Sequence, residues 1–222
     1  MKTKKTTLLL LIAVVVALPW VSEAGPDLVL RGLKMPSVKD SKVYEEAGGG
    51  DFQVLFPVTP DLSVGPTIGF MKWNTEGWSR RFCMVGMEVV DKSVDSVPVG
   101  VAGRLDVSNV LPFGGANNVA WYLTGNIQHH IVTSQAELEV TVGGYHPWGV
   151  SQRIEASNTT TAGCGLDLAI DLNDEGTCAA LLGGAYQWSL SDQDISILGF
   201  NLPVEAGLEG WIFRAGLLIR TN

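Results

Sequence analysis

The chain has 222 residues, of which 46% are hydrophobic, and a formal net charge of −8 at pH 7. An acidic chain without basic clusters is not suited to nucleic acid, whose phosphates require grouped lysine and arginine side chains. The mean hydropathy is +0.21, yet no segment after the N-terminus has the roughly 18 consecutive apolar residues of a membrane-spanning helix. The chain is therefore either a well-packed soluble domain or a β-barrel that turns an apolar face to lipid.

The N-terminus has the three parts of a cleaved secretory signal. A short basic region at residues 2–5 precedes an apolar run at 8–18, and Ser22 and Ala24 supply the small residues that a signal peptidase reads. A membrane anchor is the alternative, but this run falls well short of the roughly 20 apolar residues that a spanning helix needs. We predict a signal peptide at 1–24 and export of the rest of the chain.

Beyond residue 50, apolar and polar residues alternate with a period of two, as in β-strands with two different faces. At roughly 3.3 Å per residue, the longest such segment would span more than about 40 Å, which suits a tilted strand that crosses a bilayer. About ten strands are predicted, within a range of eight to twelve: 52–58, 62–73, 82–91, 97–108, 119–132, 136–145, 164–172, 180–191, 195–208 and 211–221. Residues 51–222 are predicted to form the barrel. Residues 25–50 are less regular and are predicted to be a lead-in, with a plug or one extra short strand as alternatives.

The polar face of these strands carries small residues and isolated charges, which suit the narrow lumen of a small barrel. Such charges must pair, because an unpaired buried charge is costly. The predicted lumen-facing polar residues are Glu88, Arg104, Asp106, Asn126, Gln128, His130, Glu137, Glu139, Asp167, Asp171, Gln187, Glu205 and Arg214. Aromatic residues near strand ends are typical of belts at the two membrane interfaces. The predicted interface aromatic residues are Trp73, Trp121, Tyr186, Trp188, Trp211 and Phe213.

The leader, the alternating strands and segments such as 121–126 (WYLTGN) and 182–188 (LGGAYQW) resemble small bacterial outer-membrane β-barrel proteins of the porin-like superfamily. The resemblance covers roughly residues 50–221 and is one of pattern. It implies a single all-β, antiparallel up-and-down transmembrane barrel in the outer membrane. The expected partners are outer-membrane lipid and the barrel-assembly machinery.

The predicted strand count leaves the connections in an unexpected arrangement. Counted from residue 52, the odd-numbered connections are all short and the even-numbered ones include the longest, 146–161. Because long loops normally face outside, both termini would then lie outside as well. Periplasmic termini would require a miscounted strand, long periplasmic loops, or a chain that ends before its last strand.

Few groups are candidates for chemistry. His130 has lumen parity, but no nucleophile elbow or spaced acid pair accompanies it. The acidic turn at 171–176 lacks the full ligand spacing of a calcium loop. No catalytic residue, metal or cofactor is predicted. The three cysteines, Cys83, Cys164 and Cys178, leave at least one thiol unpaired, and a bridge between the last two remains open.

The leading functional prediction is a structural or porin-like passive-transport barrel without catalysis. If the lumen conducts, the charges of Glu137, Glu139, Asp167 and Asp171 would favour cations. One alternative is a soluble exported barrel that binds a small apolar ligand, with an apolar interior and a polar exterior. The other is an outer-membrane lipid-modifying enzyme that uses His130.

Overall fold

A computed structural model describes residues 25–39, 44–75, 79–82, 85–89, 93–111, 118–133, 137–142, 151–191, 193–197, 200–206 and 208–221. The predicted signal peptide at 1–24 and Cys83 lie outside these residues. The strands are β1 Asp27–Met35, β2 Tyr44–Pro57, β3 Leu62–Thr75, β4 Ser79–Phe82, β5 Val85–Val89, β6 Ser93–Asp106, β7 Val119–Val132, β8 Glu137–Val142, β9 Ser151–Ala156, β10 Thr159–Asp171, β11 Cys178–Ser189, β12 Gln193–Ile197, β13 Phe200–Ala206 and β14 Gly210–Arg220. No helix in the described ranges is long and apolar enough to cross a membrane.

Eight long strands form a closed antiparallel barrel in the order β1-β14-β11-β10-β7-β6-β3-β2. The first and last strands close it, with cross-strand pairs that run from Asp27 and Arg220 to Lys34 and Phe213. Strands that follow one another in the barrel pair side by side, which is the up-and-down arrangement that the alternation predicts. The predicted fold class is therefore confirmed, with eight strands in the barrel rather than about ten.

The other six strands form a second sheet in the order β13-β12-β9-β8-β5-β4. They are three hairpins, β4–β5, β8–β9 and β12–β13, and each joins two consecutive barrel strands. Their order matches that of the barrel strands they continue, β14-β11-β10-β7-β6-β3. The predicted strands 82–91, 136–145 and 195–208 thus lie in this second sheet, and the last is divided into β12 and β13. Alternation in the sequence does not distinguish a strand of the barrel from a strand of the second sheet, because it indicates only that a strand has two unlike faces.

The segment 25–50 is not an irregular lead-in, since it contains β1 and the first half of β2. Its period of two is hidden because Val29 and Met35 are apolar yet face inward, where both are buried. This additional strand resolves the unexpected arrangement of the connections. The start of β1 and the end of β14 lie at one end of the barrel with the connections 58–61, 107–118 and 172–177, and the three hairpins leave from the other end.

Large apolar side chains cover the outside of the barrel. Leu30 is 59% exposed and Ile127 is 55% exposed, although both lie in the middle part of long strands. The other outward apolar residues of the barrel strands with high exposure are Phe52, Ile68, Phe70, Leu105, Leu123, Ile131, Leu166, Leu182, Trp188, Trp211, Phe213, Leu217 and Ile219. Polar residues such as Gln53, Thr67 and Gln128 are buried inside. The soluble alternative, which requires a polar exterior, is therefore wrong.

An arginine in this outer wall should be costly if the wall lies in hydrocarbon. We expect Ile127→Arg to lower the free energy of unfolding by about 2–4 kcal/mol, since a charge near the midplane of a bilayer loses its hydration. Denaturant unfolding of the protein in lipid vesicles measures this. The control is Thr160→Arg at the hairpin end of β10, where the cost falls to about 0–1 kcal/mol. Equal costs for the two variants would contradict a membrane-embedded wall.

Candidate functional site in the barrel lumen

Side chains fill the lumen in three layers. An apolar cluster that includes Val29, Leu55 and Leu218 lies towards the termini. A second apolar cluster, which includes Met35, Trp73 and Leu208, lies towards the hairpins. A layer of buried charges separates the two clusters, and we call it the charged layer: Arg31, Asp51, Asp167 and Arg214.

Ion pairs hold the charged layer together, both between neighbouring strands and across the lumen. Arg31 and Asp51 face each other across β1 and β2. Nε and Nη2 of Arg31 donate to the two oxygens of Asp51 at 2.9 and 2.6 Å. From β10, Asp167 accepts a bond of 3.1 Å from Nη1 of Arg31 and lies 2.6 Å from Nη2 of Arg214. Two carboxylates thus balance two guanidinium groups, as buried charges require.

Glycines on neighbouring strands make room for this layer. A Cβ atom at Gly183 would overlap a carboxylate oxygen of Asp167. A Cβ atom at Gly165 would lie 2.6 Å from Nη2 of Arg214, which is closer than nonbonded atoms approach. The inward glycines of β10 and β11 are therefore needed at these positions for space rather than for their backbone angles.

Two small cavities lie beside the charged layer. Both are lined by Arg31, Asn126, Gly163 and Arg214, and they have volumes of about 20 and 10 Å³. A cavity of about 10–15 Å³ accommodates one water molecule. Nε of Arg214 is buried without a hydrogen-bond acceptor among the described residues, so a water molecule here would satisfy it. These cavities have space for single water molecules and not for a solute.

Trp73 anchors the apolar cluster towards the hairpins, so its prediction as a membrane-interface residue is wrong. Its side chain is 1% exposed and its Nε1 donates to Oγ of Ser96 at 3.1 Å. Its ring lies 5.8 Å from that of Tyr44 and 5.9 Å from that of His130. Odd-numbered residues of β3 face inward. The indole of Trp73 therefore packs in the apolar cluster of the lumen and not at the membrane interface.

His130 is buried in the same part of the lumen. Its Nδ1 lies 3.4 Å from Oγ of Ser96, and its Nε2 lies 3.1 Å from Oγ1 of Thr161. No carboxylate among the described residues bonds to this imidazole, and its exposure is only 1%. The geometry is that of a hydrogen-bonded interior residue, and it does not support the lipid-modifying alternative.

A further set of charges lies at the end of the lumen near the termini. Arg104 donates to the carboxylate of Asp27, and its guanidinium carbon lies 4.4 Å from the ring centre of Tyr122. From β14, Arg220 donates to Oδ1 of Asp171 at 2.8 Å and to the hydroxyl of Tyr122 at 3.1 Å. Tyr122 therefore links two ion pairs that close this end of the barrel.

The predicted lumen residues divide into three groups. Buried inside the barrel are Arg104, Gln128, His130, Asp167, Gln187 and Arg214. Partly buried on the inward parity are Asp106, Asn126 and Asp171. The placement of Glu88, Glu137, Glu139 and Glu205 in the lumen is wrong, because they belong to β5, β8 and β13 of the second sheet.

Sequence reasoning missed Arg31, Asp51 and Gln53, which belong to the charged layer or contact it. Nε2 of Gln53 donates to Asp51 at 2.9 Å. Arg31 is missed because residues 25–50 are predicted to be a lead-in, with one extra short strand only as an alternative. The available signal was a single arginine within an otherwise apolar stretch, since a lone charge there must find a buried partner.

Most of the other predicted aromatic residues lie on the outer wall. Trp188, Trp211 and Phe213 are exposed near the hairpin end of β11 and β14. The ring of Tyr186 contacts those of Trp188 and Trp211, with centres 5.2 and 5.4 Å apart. Trp121 is partly buried at the opposite end, near the start of β7.

The described cysteines and carboxylates form neither a bridge nor a metal site. Cys164 and Cys178 are free thiols, opposite Tyr186 and Ile219 respectively. No group of three or more possible metal ligands occurs among the described residues. In the acidic connection 172–177, Gly176 has a φ of 66°, the left-handed conformation that favours glycine in a tight turn.

The closed barrel, its apolar wall and the paired charges of its interior are the features of an outer-membrane type of β-barrel. No protein-family model matches the sequence, and no curated protein matches it significantly. Among solved structures, the outer membrane protein OprG from Pseudomonas aeruginosa matches with a TM-score of 0.50 and 11% identity, over 90% of this chain and 98% of that chain. A major outer membrane protein from Thermus thermophilus matches with a TM-score of 0.49 and 11% identity, over 88% of this chain and 99% of that chain. The likeness to OprG shows that the chain has the fold of small bacterial outer-membrane barrels.

Proposed function

We propose that this protein resides in the bacterial outer membrane, where a barrel with a closed lumen anchors a surface sheet of hairpins. The observation that carries the proposal is the reversed distribution of polarity. Apolar side chains are exposed on the wall, and charges are paired inside. This arrangement is stable in lipid and unfavourable in water, because it leaves apolar area unburied.

The height of the wall supports this location. The strand β14 has 11 residues, which extend about 36 Å at roughly 3.3 Å per residue. A tilt of about 40° reduces this height to about 28 Å, close to the apolar band of about 25 Å in outer-membrane barrels. A strand of this length is therefore sufficient to cross the membrane once.

The ends of the barrel indicate its orientation. In outer-membrane barrels the short turns face the periplasm and the longer connections face outside. By this rule, the termini of this protein are periplasmic and the hairpins are at the cell surface. The cluster of Tyr186, Trp188, Trp211 and Phe213 then lies at the outer interface, and Trp121 lies at the inner one.

A structural role is better supported than passive transport. Side chains fill the described lumen, and the charges of the charged layer are paired with one another. Asp167 and Asp171 bond to arginines, and Glu137 and Glu139 are in the second sheet. None of the four carboxylates on which the predicted preference for cations rests is therefore a free charge of the lumen. We assign no catalysis to the barrel.

The test is the behaviour of the full protein in membranes. After reconstitution in planar bilayers, we expect no steady single-channel conductance, because the charged layer and both apolar clusters block the lumen. In cells, we expect the protein to remain with the outer-membrane fraction after salt and carbonate washes. Stable channels in the unmodified protein would contradict the closed lumen, and release by the washes would contradict the location.

A further inference from the structure

We propose that the outer wall at β1, β2, β3 and β14 binds one phosphorylated lipid of the outer leaflet. An acyl chain would lie against Gly32 and Ala215, with a phosphate held between Lys34 and Lys72. This inference rests on the proposed membrane location and adds a ligand class to it.

The wall has a groove where two small residues meet. Gly32 and Ala215 face each other across β1 and β14 and are both exposed. The groove has a volume of about 560 Å³, and Lys34, Leu182 and Phe213 are among the residues that line it. The groove is open along the wall rather than enclosed, so a ligand would lie along it with one side against the surrounding lipid. The bulky side chains of Leu182 and Phe213 beside the small pair give the groove an apolar lining suited to an acyl chain.

Two lysines stand in one row at the hairpin side of this groove. Lys34 on β1 and Lys72 on β3 both lie opposite Gly48 of β2 and face outward. Neighbouring strands are about 4.8 Å apart, so the two Cα atoms are separated by roughly 10 Å. Gly48 has no side chain to fill the space between the two lysines. Cδ of Lys34 comes within 4.0 Å of the position that a Cβ atom on Gly48 would occupy. Two flexible lysines at this spacing can reach one phosphate placed over Gly48.

The lysines are available to a ligand. Within the described residues, Lys72 makes no hydrogen bond or ion pair, although Asp95 lies opposite it on β6. Lys34 pairs with Glu46, but their side chains are 54% and 37% exposed. Exposed pairs of this kind contribute little free energy, so a phosphate can compete with Glu46 for Lys34.

The position of the row favours a lipid over a second copy of the chain. On β14, Trp211 lies two residues beyond Phe213, which faces Lys34, so the lysines are close to the proposed outer interface. The second sheet continues six barrel strands but not β1 and β2, which leaves room for a headgroup there. A second copy related by a two-fold axis would place the same lysines against each other, whereas an anionic headgroup complements them.

The test is native mass spectrometry of the full protein in detergent micelles, with diphosphorylated lipid A and its dephosphorylated form as probes. We expect one bound lipid A per chain and about 30-fold weaker binding of the dephosphorylated form, since each lysine near a lipid surface contributes about fivefold. Lys72→Gln should weaken binding about fivefold, and the double variant K34Q/K72Q about 30-fold. Gly32→Leu should weaken binding of both forms by filling the groove.

Two matched variants control for charge and for bulk. Lys39→Gln removes the same charge from the β1–β2 connection, and Gly103→Leu adds the same side chain to the outer wall at β6. Neither should change binding. Equal binding of the two lipids, or an equal loss in Lys39→Gln, would overturn the proposal. A chain dimer that Gly32→Leu abolishes would identify the occupant as a second copy instead.

The lipid-binding test depends neither on correct folding of Gly32→Leu nor on the result of membrane fractionation. Because Lys72→Gln alters only an exposed side chain, the test does not depend on the folding of Gly32→Leu. The measurement is also separate from membrane fractionation, so a protein that stays in the membrane without discriminating the two lipids refutes this proposal alone.

Discussion

Replacement of Asp167 by asparagine is expected to lower the free energy of unfolding by about 3–5 kcal/mol, the usual cost of removing one partner of a buried ion pair. Asp167 is the carboxylate that Arg31 and Arg214 share. In D167N, Arg31 keeps the carboxylate of Asp51, whereas Arg214 loses its carboxylate partner and has only neutral acceptors, among them the hydroxyl of Thr124 and the carbonyl of Gly184. A guanidinium group without a carboxylate would then remain in the lumen. Denaturant unfolding in lipid vesicles, followed by tryptophan fluorescence, measures the loss.

The control for this variant is Asp174→Asn in the exposed connection 172–177, where we expect a change within about 0.5 kcal/mol. A double-mutant cycle of Asp167→Asn with Arg214→Met adds a second measurement, because removal of both partners should cost less than the sum of the single changes. Additive effects, or a loss in D167N no larger than in the control, would show that the ion pair of Asp167 and Arg214 does not stabilise the barrel.

Replacement of Trp73 by alanine should have an effect of similar size, about 3–5 kcal/mol, because it deletes a large buried side chain and leaves a cavity. Trp73 fills the lumen between Tyr44 and His130, and its loss also removes a hydrogen bond to Ser96. We expect the variant to remain closed to ions, since the charged layer and the cluster near the termini are unchanged. Denaturant unfolding in lipid vesicles measures the loss of stability, and conductance recordings in planar bilayers test whether the variant stays closed to ions.

Trp211→Ala is the matched control for Trp73→Ala. Trp211 is 62% exposed on the outer wall, so its removal creates no lumen cavity and should cost clearly less. If both tryptophan variants lost the same stability, Trp73 would not be a buried packing residue. If Trp73→Ala alone produced steady conductance, the apolar cluster near the hairpins would be the main barrier in the lumen.

Several features of this architecture follow from local alternation. In β6, Val97, Val99 and Val101 share the outward parity, while Ala102 and Arg104 are buried on the other side. Such a pattern is set by the covalent geometry of a strand, because successive side chains point to opposite faces. Alternation therefore predicts strands with two unlike faces. Together with the small and charged residues of the polar face and the aromatic residues near strand ends it predicts a barrel in lipid, but not how many strands close the barrel.

The sequence by itself determined that the chain forms alternating strands with an apolar face suited to lipid, since that information resides in neighbouring residues. The tertiary structure alone decided that eight strands close the barrel, that 25–50 supplies its first strand and that three hairpins form a separate sheet. It also decided which charges meet. Arg31 and Asp167 are 136 residues apart in sequence, and they come together only when closure of the barrel turns β1 and β10 towards the same lumen. Trp73 is a second example. Its position in β3 indicates which face of the strand it lies on, but only closure of the barrel buries that face in a packed interior.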